Sequence, residues 1–580
     1  MSDSAATRPP EVPEGLRPAN ENPWYILMTL YGEQEEEEID WELHEKNRRA
    51  WNAWSGHALN AEEREAAAKS SEIDMSELEA WEDLSEEIKA RFAAEYERRN
   101  PEAEGIPDLP DPKDPIEMSK TAFSNTAVLE KAVFASRARF NSATFTQGAL
   151  FISATFTQGA RFNSATFTQD AWFGSATFTQ DAWFDSATFT QDALFNSATF
   201  TQDARFNSVT FTQGARFDSA TFTQDAWFGS ATFTQDAWFD SATFTQVARF
   251  NSATFTQGAL FISATFTQDA WFGSATFTQD AWFDSATFTQ VARFDSATFT
   301  QVARFDSATF TQVAWFDSAT FTQGALFNSA TFSGFAYFTR TRFVGAHGKH
   351  CIPYFTDCQF EKPTSFRQAL FLDGYPDFSG TVLHDKTSFT ARMEPTSDEI
   401  SEDEDLEGQT YWPEKTKQDP VSARESCATI RHVLTQQGLP EDAHFFFRRE
   451  MRFAGMASAG RSFTERLPYL LFGWLSDFGY SIQRPLWWLV GIWFVGVAAF
   501  WAVFSFPGAA SVLTQSDLGT AAALSFSNLF PLFGFGRVFL GDVLAELPRW
   551  AQVLCGLQTV FSLPLLFFLG LGLRQRFRLR

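Results

Sequence analysis

Between Thr121 and Arg342 large and small apolar residues recur with a period that neither a helix nor a flat strand produces. Phe145, Phe151, Phe156, Phe162, Phe167 and Phe173 are separated alternately by six and five residues, and an Ala stands two positions before each. A helix repeats every 3.6 residues and a strand every 2.0, so neither gathers these positions on one side. A coil that turns a corner after every five or six residues does. Each short side then points one Ala and one Phe inward, and stacked coils lay Ala on Ala and Phe on Phe. The underlying unit has eleven residues, SATFTQDAWFD from Ser175 and again from Ser230, so four sides make a coil of 22. With stacked strands ~4.8 Å apart, this stretch forms a rod on the order of 50 Å long.

A 22-residue coil also sorts the outward positions into columns. One column reads Arg161, Trp183, Arg205, Trp227, Arg249, Trp271, Arg293, Trp315, Tyr337, and guanidinium stacked on indole contributes about 0.5–1 kcal/mol at exposed sites. The opposite column reads Leu150, Trp172, Leu194, Arg216, Trp238, Leu260, Trp282, Arg304, Leu326. This second strip is more apolar, and an exposed apolar strip marks contact with another chain or with lipid. Both columns are candidate interaction surfaces, the second for self-association first.

The repeated Ala-x-Phe steps resemble the pentapeptide-repeat family, whose pattern is Ala, Asp or Asn, then Leu or Phe, then two variable positions. The resemblance implies a right-handed quadrilateral β-helix over residues 121–390 and a bacterial protein. An extra residue at every second step departs from the simplest family pattern and implies an enlarged coil. Degenerate steps continue past an insertion at Gly345–Ile352, through Phe360, Phe366, Phe371, Leu383 and Phe389.

Helical patterning flanks the rod. After a disordered tail at 1–21, residues 22–106 read as a helical region in which Trp24, Trp41, Trp51 and Trp54 could anchor a cap. A Pro-rich linker, 107–120, leads into the rod, and an acidic linker, 391–420, leaves it. Residues 421–484 are juxtamembrane helices, with Val421 to Arg452 reading as one amphipathic helix. Uncharged stretches at Leu486–Phe506 and Trp550–Leu573 are long enough to cross the hydrocarbon. Arginines outside both far ends favour a two-span hairpin over 485–580, with β-helix and termini cytoplasmic, in a bacterial inner membrane. A third uncharged stretch, Leu518–Gly536, is read as re-entrant or interfacial and broken at Pro531.

The sequence ALSFSNLFPLFGFG before the last span looks like the pore helix and filter entrance of two-span potassium channels. The resemblance covers about fifty residues, and Gly534, Phe535 and Gly536 fall at the filter. The threonine and following acid of that filter are missing here.

Composition changes this picture little. The formal net charge of −26 gathers partly in solvated runs such as Glu35–Glu38 and Asp398–Glu407, and the 68 Phe are consumed by the repeat. Four cysteines without regular spacing suit a reduced compartment. No phosphate loop, dinucleotide fingerprint or nucleophile elbow occurs. His347, His350, Cys351 and Cys358 form the one metal-like grouping, at a spacing that fits no standard site. The reading is therefore non-enzymatic, with no cofactor, no metal and no nucleic acid. The implied partners are membrane lipids, a second copy of the chain and an unidentified protein. Three functions compete: a membrane-anchored scaffold rod, a degenerate two-span ion channel with the β-helix as regulatory domain, and a topoisomerase-binding DNA mimic using acids such as Asp185, Asp240 and Asp284.

Overall fold

The computed structural model describes residues 14–36, 38–346, 348–391, 411–416, 418–457, 463–505 and 517–577. The chain divides into two compact units, Met1–Gln418 and Asp419–Arg580.

The first unit is a parallel β-solenoid with helices at its start. A representative coil contains the strands Thr144–Phe145, Ala149–Leu150, Thr155–Phe156 and Ala160–Arg161. Each pairs in parallel with the strand 22 residues further on, Thr144 with Thr166 and Ala160 with Ala182. Four stacked sheets of 13, 13, 11 and 11 strands result. Two opposite faces carry the Thr-Phe strands, and the other two carry the columns that begin at Leu150 and Arg161.

Two kinds of corner explain the alternation of five and six. The tight corner, as in Phe140-Asn141-Ser142-Ala143, closes with the Ala143 N–H donating to the Phe140 carbonyl at 3.1 Å. Its third residue is left-handed, Ser142 at φ 54°, and so is every eleventh residue from there to Ser329. That is the place where a type II turn ordinarily takes Gly. The wide corner, Phe145-Thr146-Gln147-Gly148-Ala149, holds the extra residue; there the Thr146 N–H and hydroxyl both donate to the Phe123 carbonyl one coil earlier.

Inside, the Ala and Phe of the regular repeats are buried completely. Rings of successive coils lie nearly parallel, Phe162 on Phe184 at 4.8 Å and 3°. Rings from opposite corners meet edge to face, Phe162 against Phe173 at 5.6 Å and 85°. Each buried Phe stabilises by about 1.5–3 kcal/mol, and each well-placed ring pair adds about 0.5–1.5 kcal/mol. After the insertion the register lengthens, Leu326 pairing with Tyr354.

The solenoid begins before the expected Thr121. Ile116–Glu117 already pairs with Ala138–Arg139, with Ile116 and Met118 buried in the Ala and Phe positions of a degenerate step. Arg17–Pro18, in the stretch read as a disordered tail, adds a parallel strand beside Thr121–Ala122.

The N-terminal helices are α1 (Pro23–Met28), α2 (Trp41–Gly56), α3 (Ala61–Ser70), α4 (Ser76–Glu79) and α5 (Trp81–Arg99). α2 covers the open edge of the first coil. Trp51 Nε1 and Ser55 Oγ donate to the Val133 carbonyl, and the Val133 N–H donates to Asn52 Oδ1. Edge groups that would otherwise template aggregation are thereby satisfied. Trp24, Trp51 and Trp54 are buried, whereas Trp41, expected as a fourth anchor, is 53% exposed on the first turn of α2.

The far end is closed by a residue from the expected acidic linker. Trp412 is fully buried, stacks on Phe371 at 4.6 Å and donates from Nε1 to the Thr390 carbonyl. The acidic run of 392–410 itself lies outside the described residues.

In the second unit, the stretch read as one amphipathic helix is a hairpin of α6 (Pro420–Gln436) and α7 (Pro440–Ala457). Gly438, at φ 73°, ends α6: the Gly438 and Leu439 N–H groups donate back to Thr435 and Leu434, a Schellman stop followed by proline. Next come α8 (Phe463–Ser476), α9 (Gln483–Ser505), α10 (Leu518–Leu529), α11 (Phe535–Phe539), α12 (Gly541–Glu546) and α13 (Arg549–Phe577). Two helices, Gln483–Ser505 and Arg549–Gln575, are long and apolar enough to cross a membrane. α10 packs against both. With 12 residues it is about 18 Å long, short of the ~30 Å hydrocarbon core.

Candidate interaction faces and a polar cluster in the second unit

Both outward columns form as continuous stacks. Strand pairing places Arg161 beside Trp183, Trp183 beside Arg205, and so on through Arg249, Trp271, Arg293, Trp315 and Tyr337. Arginines lie over indoles along this face: Arg161 over Trp183 at 4.3 Å, Arg249 over Trp227 at 3.9 Å and over Trp271 at 5.1 Å. Arg249 also pairs with Asp225 at 2.8 Å. The column binds to itself, and its side chains are mostly half-buried.

The opposite face is less self-contained. Leu150, Trp172, Leu194, Arg216, Trp238, Leu260 and Trp282 stack in register. Arg216 covers Trp238 at 4.6 Å and Arg304 covers Trp282 at 5.3 Å, but Trp172 stands between Leu150 and Leu194 and is 36% exposed.

The corner carboxylates serve the backbone. Asp185 Oδ1 accepts from the Asn207 N–H, Asp236 Oδ1 from Gly258 and Asp240 Oδ1 from Ile262, each one coil on. Burial, and then the stacked Asp225 and Asp181 carboxylates, raise the pKa of Asp203 above the ordinary 3.8. Asp218 is raised by burial and by Asp240, and Asp284 and Asp317 chiefly by burial.

The cysteines near the insertion belong to the core. Cys358 occupies an Ala position, is fully buried, and donates from Sγ to the Phe327 carbonyl; burial pushes its thiol up to about 12. Burial likewise raises the Cys351 thiol. His350 Nδ1 lies 3.5 Å from Asp373, and His347 is outside the described residues. Among the described residues no group of His, Cys, Asp and Glu could hold a metal ion.

In the second unit, polar side chains converge where α9, α10 and α13 meet. Gln558 of α13 donates from Nε2 to Ser525 Oγ of α10 at 2.6 Å, and its Oε1 accepts from Asn528 Nδ2 at 3.1 Å. Ser525 Oγ donates to the Trp493 carbonyl, and Trp493 Nε1 donates to the Ala522 carbonyl. Thr559 donates to the Asn528 carbonyl at 3.2 Å. Gly496 of α9 admits this cluster: a Cβ there would lie 2.3 Å from Ser525 Oγ and 2.4 Å from Gln558 Nε2. The sequence reading passed over these residues, although Asn528 and Gln558 are amides within uncharged apolar runs, a pattern that marks interhelical bonding.

Gly534, Phe535 and Gly536 do not form an extended filter. Gly534 is left-handed at φ 67°, and Phe535 starts α11. The Gly534 and Gly536 carbonyls accept from the Val538 and Leu540 N–H groups, so both have partners inside a helical turn. Phe535–Phe539 contains no proline, so each residue can adopt a helical turn.

A family model described as Pentapeptide repeats (9 copies) matches residues 151–199, 195–243, 239–287 and 283–328. No curated protein and no solved structure matches the chain.

Proposed function

We propose that this chain is a non-enzymatic, membrane-anchored scaffold whose solenoid presents an outer face to a second copy of itself or to a protein partner. The difference between the two columns carries the reading. The Arg161 face engages its own arginines and indoles, whereas on the Leu150 face Trp172 stands between Leu150 and Leu194, 36% exposed and with no arginine of the described residues over its ring. Apolar strips of that kind are buried by association. α9 and α13 supply the anchor, and arginines at their outer ends support cytoplasmic termini and a cytoplasmic rod.

The test is sedimentation of the fragment 14–418 and of a Trp172→Ser, Trp238→Ser, Trp282→Ser variant. The reading expects a wild-type oligomer and a folded, monomeric variant. A wild-type fragment that stays monomeric at high concentration removes self-association.

A channel is the second reading, favoured by a short helix held between two long apolar ones through Gln558. The helical bonding of the Gly534 and Gly536 carbonyls weighs against it. Recording from the reconstituted protein in planar bilayers separates the two, since a scaffold is silent under all ions and voltages. Duplex mimicry finds less support: the acidic column Asp181, Asp203, Asp225 gives way to Val247, and the carboxylates of other corners are committed to backbone N–H groups.

A further inference from the structure

The turn from α8 into α9 is unusual in its backbone and its charge. Asp477, Phe478 and Gly479 are all left-handed, at φ 49°, 56° and 82°. Asp477 is held by Arg448 of α7 at 2.7 Å, with Arg452 at 3.6 Å. Beside this turn lies a cleft of about 310 Å³ between α7, α8 and the start of α9. Arg452, Arg466 and Arg484 line it. Asp477 is the one acid among the described residues of its lining, has a side chain 12% exposed, and is already engaged by Arg448. Arg484 spends one N–H on the Gly473 carbonyl, at 3.1 Å, and Arg466 is exposed with no hydrogen bond or ion pair to a described residue.

The surroundings of the cleft are apolar. α8 exposes Phe463, Leu470 and Trp474, and Trp487 at the start of α9 is 70% exposed. Trp474 packs edge-on against Trp488 at 4.4 Å. Amphipathic rings of this kind settle at the headgroup level of a bilayer. The cleft therefore joins surplus guanidinium to a surface suited to acyl chains. A phosphodiester offers only acceptors and carries negative charge, which is what planar guanidinium groups bind best.

We infer that this cleft binds the phosphate of an anionic phospholipid. The inference rests on the membrane-anchor reading and adds a specific lipid site to it. Arg466 and Arg484 hold the headgroup, and Leu470 and Trp474 lie along the chains. The shared chemistry, a phosphate group, could also come from free phosphate in the cytosol; the exposed apolar rim favours the lipid.

The test uses the full-length protein in non-ionic detergent with equal phosphatidylglycerol and phosphatidylcholine, read by native mass spectrometry. The expected result is one phosphatidylglycerol retained with a preference of roughly fivefold or more, as several arginines acting on one headgroup should give. Arg466→Gln and Arg484→Gln each reduce that preference severalfold. Arg549→Gln, at the opposite end of α13, leaves it unchanged. No preference in the wild type, or an equal loss in Arg549→Gln, overturns the site. Displacement of the lipid by millimolar inorganic phosphate overturns the lipid assignment. Carbonate washing keeps the two ideas apart: a protein stripped from membranes refutes the anchor, whereas one that stays but shows no lipid preference refutes this site alone.

Discussion

The solenoid and the C-terminal helical unit satisfy their backbones by opposite means. In the solenoid nearly every strand N–H donates to a residue one coil away, and the same few contacts recur from Ala138 to Phe343. No single contact is special, so stability is spread along the rod and depends on neighbours. In the C-terminal unit the backbone is satisfied within helices, and specificity is concentrated in a few side chains around Gln558. A repeating core can change length without losing its logic. A polar cluster cannot change a residue without reorganising.

The sharpest way to break this contrast is to empty one layer of the rod. Phe228→Ala should destabilise the fragment 14–418 by about 3–5 kcal/mol, seen in urea unfolding; Phe250→Ala, one coil on, should give a similar loss because the layers are equivalent. In the C-terminal unit, Gly496→Ala forces a methyl against Ser525 and Gln558 and should destabilise by about 1–3 kcal/mol, whereas Gly491→Ala, where a Cβ meets nothing within 4 Å, should change little. Thermal inactivation in detergent compares the two.

Acid sharpens the comparison within the rod unit. His44, on α2 of the N-terminal cap, is lowered by burial to about 4. Its stabilising contribution is complete above the unfolded value of 6.5 and is lost as pH falls toward 4, by about 1 kcal/mol per pH unit. The stacked aspartates act with the opposite sign. Their folded pKa values lie above 3.8, so the rod gains stability as pH falls through those values. Hydrogen exchange corrected for intrinsic rates should show the cap loosening below pH 6.5, and His44→Gln should suppress that loosening while leaving the coils as they were.

The smallest effect concerns the tight corners. Ser230, at φ 55°, holds a conformation that L-residues adopt at a penalty of about 1 kcal/mol. Ser230→Gly should therefore stabilise the rod by a few tenths of a kcal/mol to about 1 kcal/mol, measured by thermal melting.

The rod's interior was legible because its signal repeats: six-and-five spacing of Phe145 to Phe173 specifies coil, layers and columns together. Its ends were less so. Ile116-Glu117-Met118 replaces Ala-x-Phe with residues of different size, and Trp412 reaches the last coil from beyond residues 392–410, which no local pattern announces. The break between α6 and α7 was written in Gln437-Gly438-Leu439-Pro440, where amphipathic periodicity masked the stop. Gly534 to Gly536 misled because a likeness in composition to a filter says nothing about φ and ψ. The Gln558 cluster joins residues over thirty positions apart, and only its amides in apolar runs hinted at it.

One pair of deletions tests the central claim, that the outer columns and not the core carry the function. Removing residues 230–251 takes out one coil and keeps every column in line; removing residues 230–240 takes out half a coil, which the core tolerates, but splices the Arg161 column onto the Leu150 column. Both proteins should show the same circular dichroism, and sedimentation should show self-association retained in the first and lost in the second. Equal association by both, or unfolding of the half-coil deletion alone, contradicts the account.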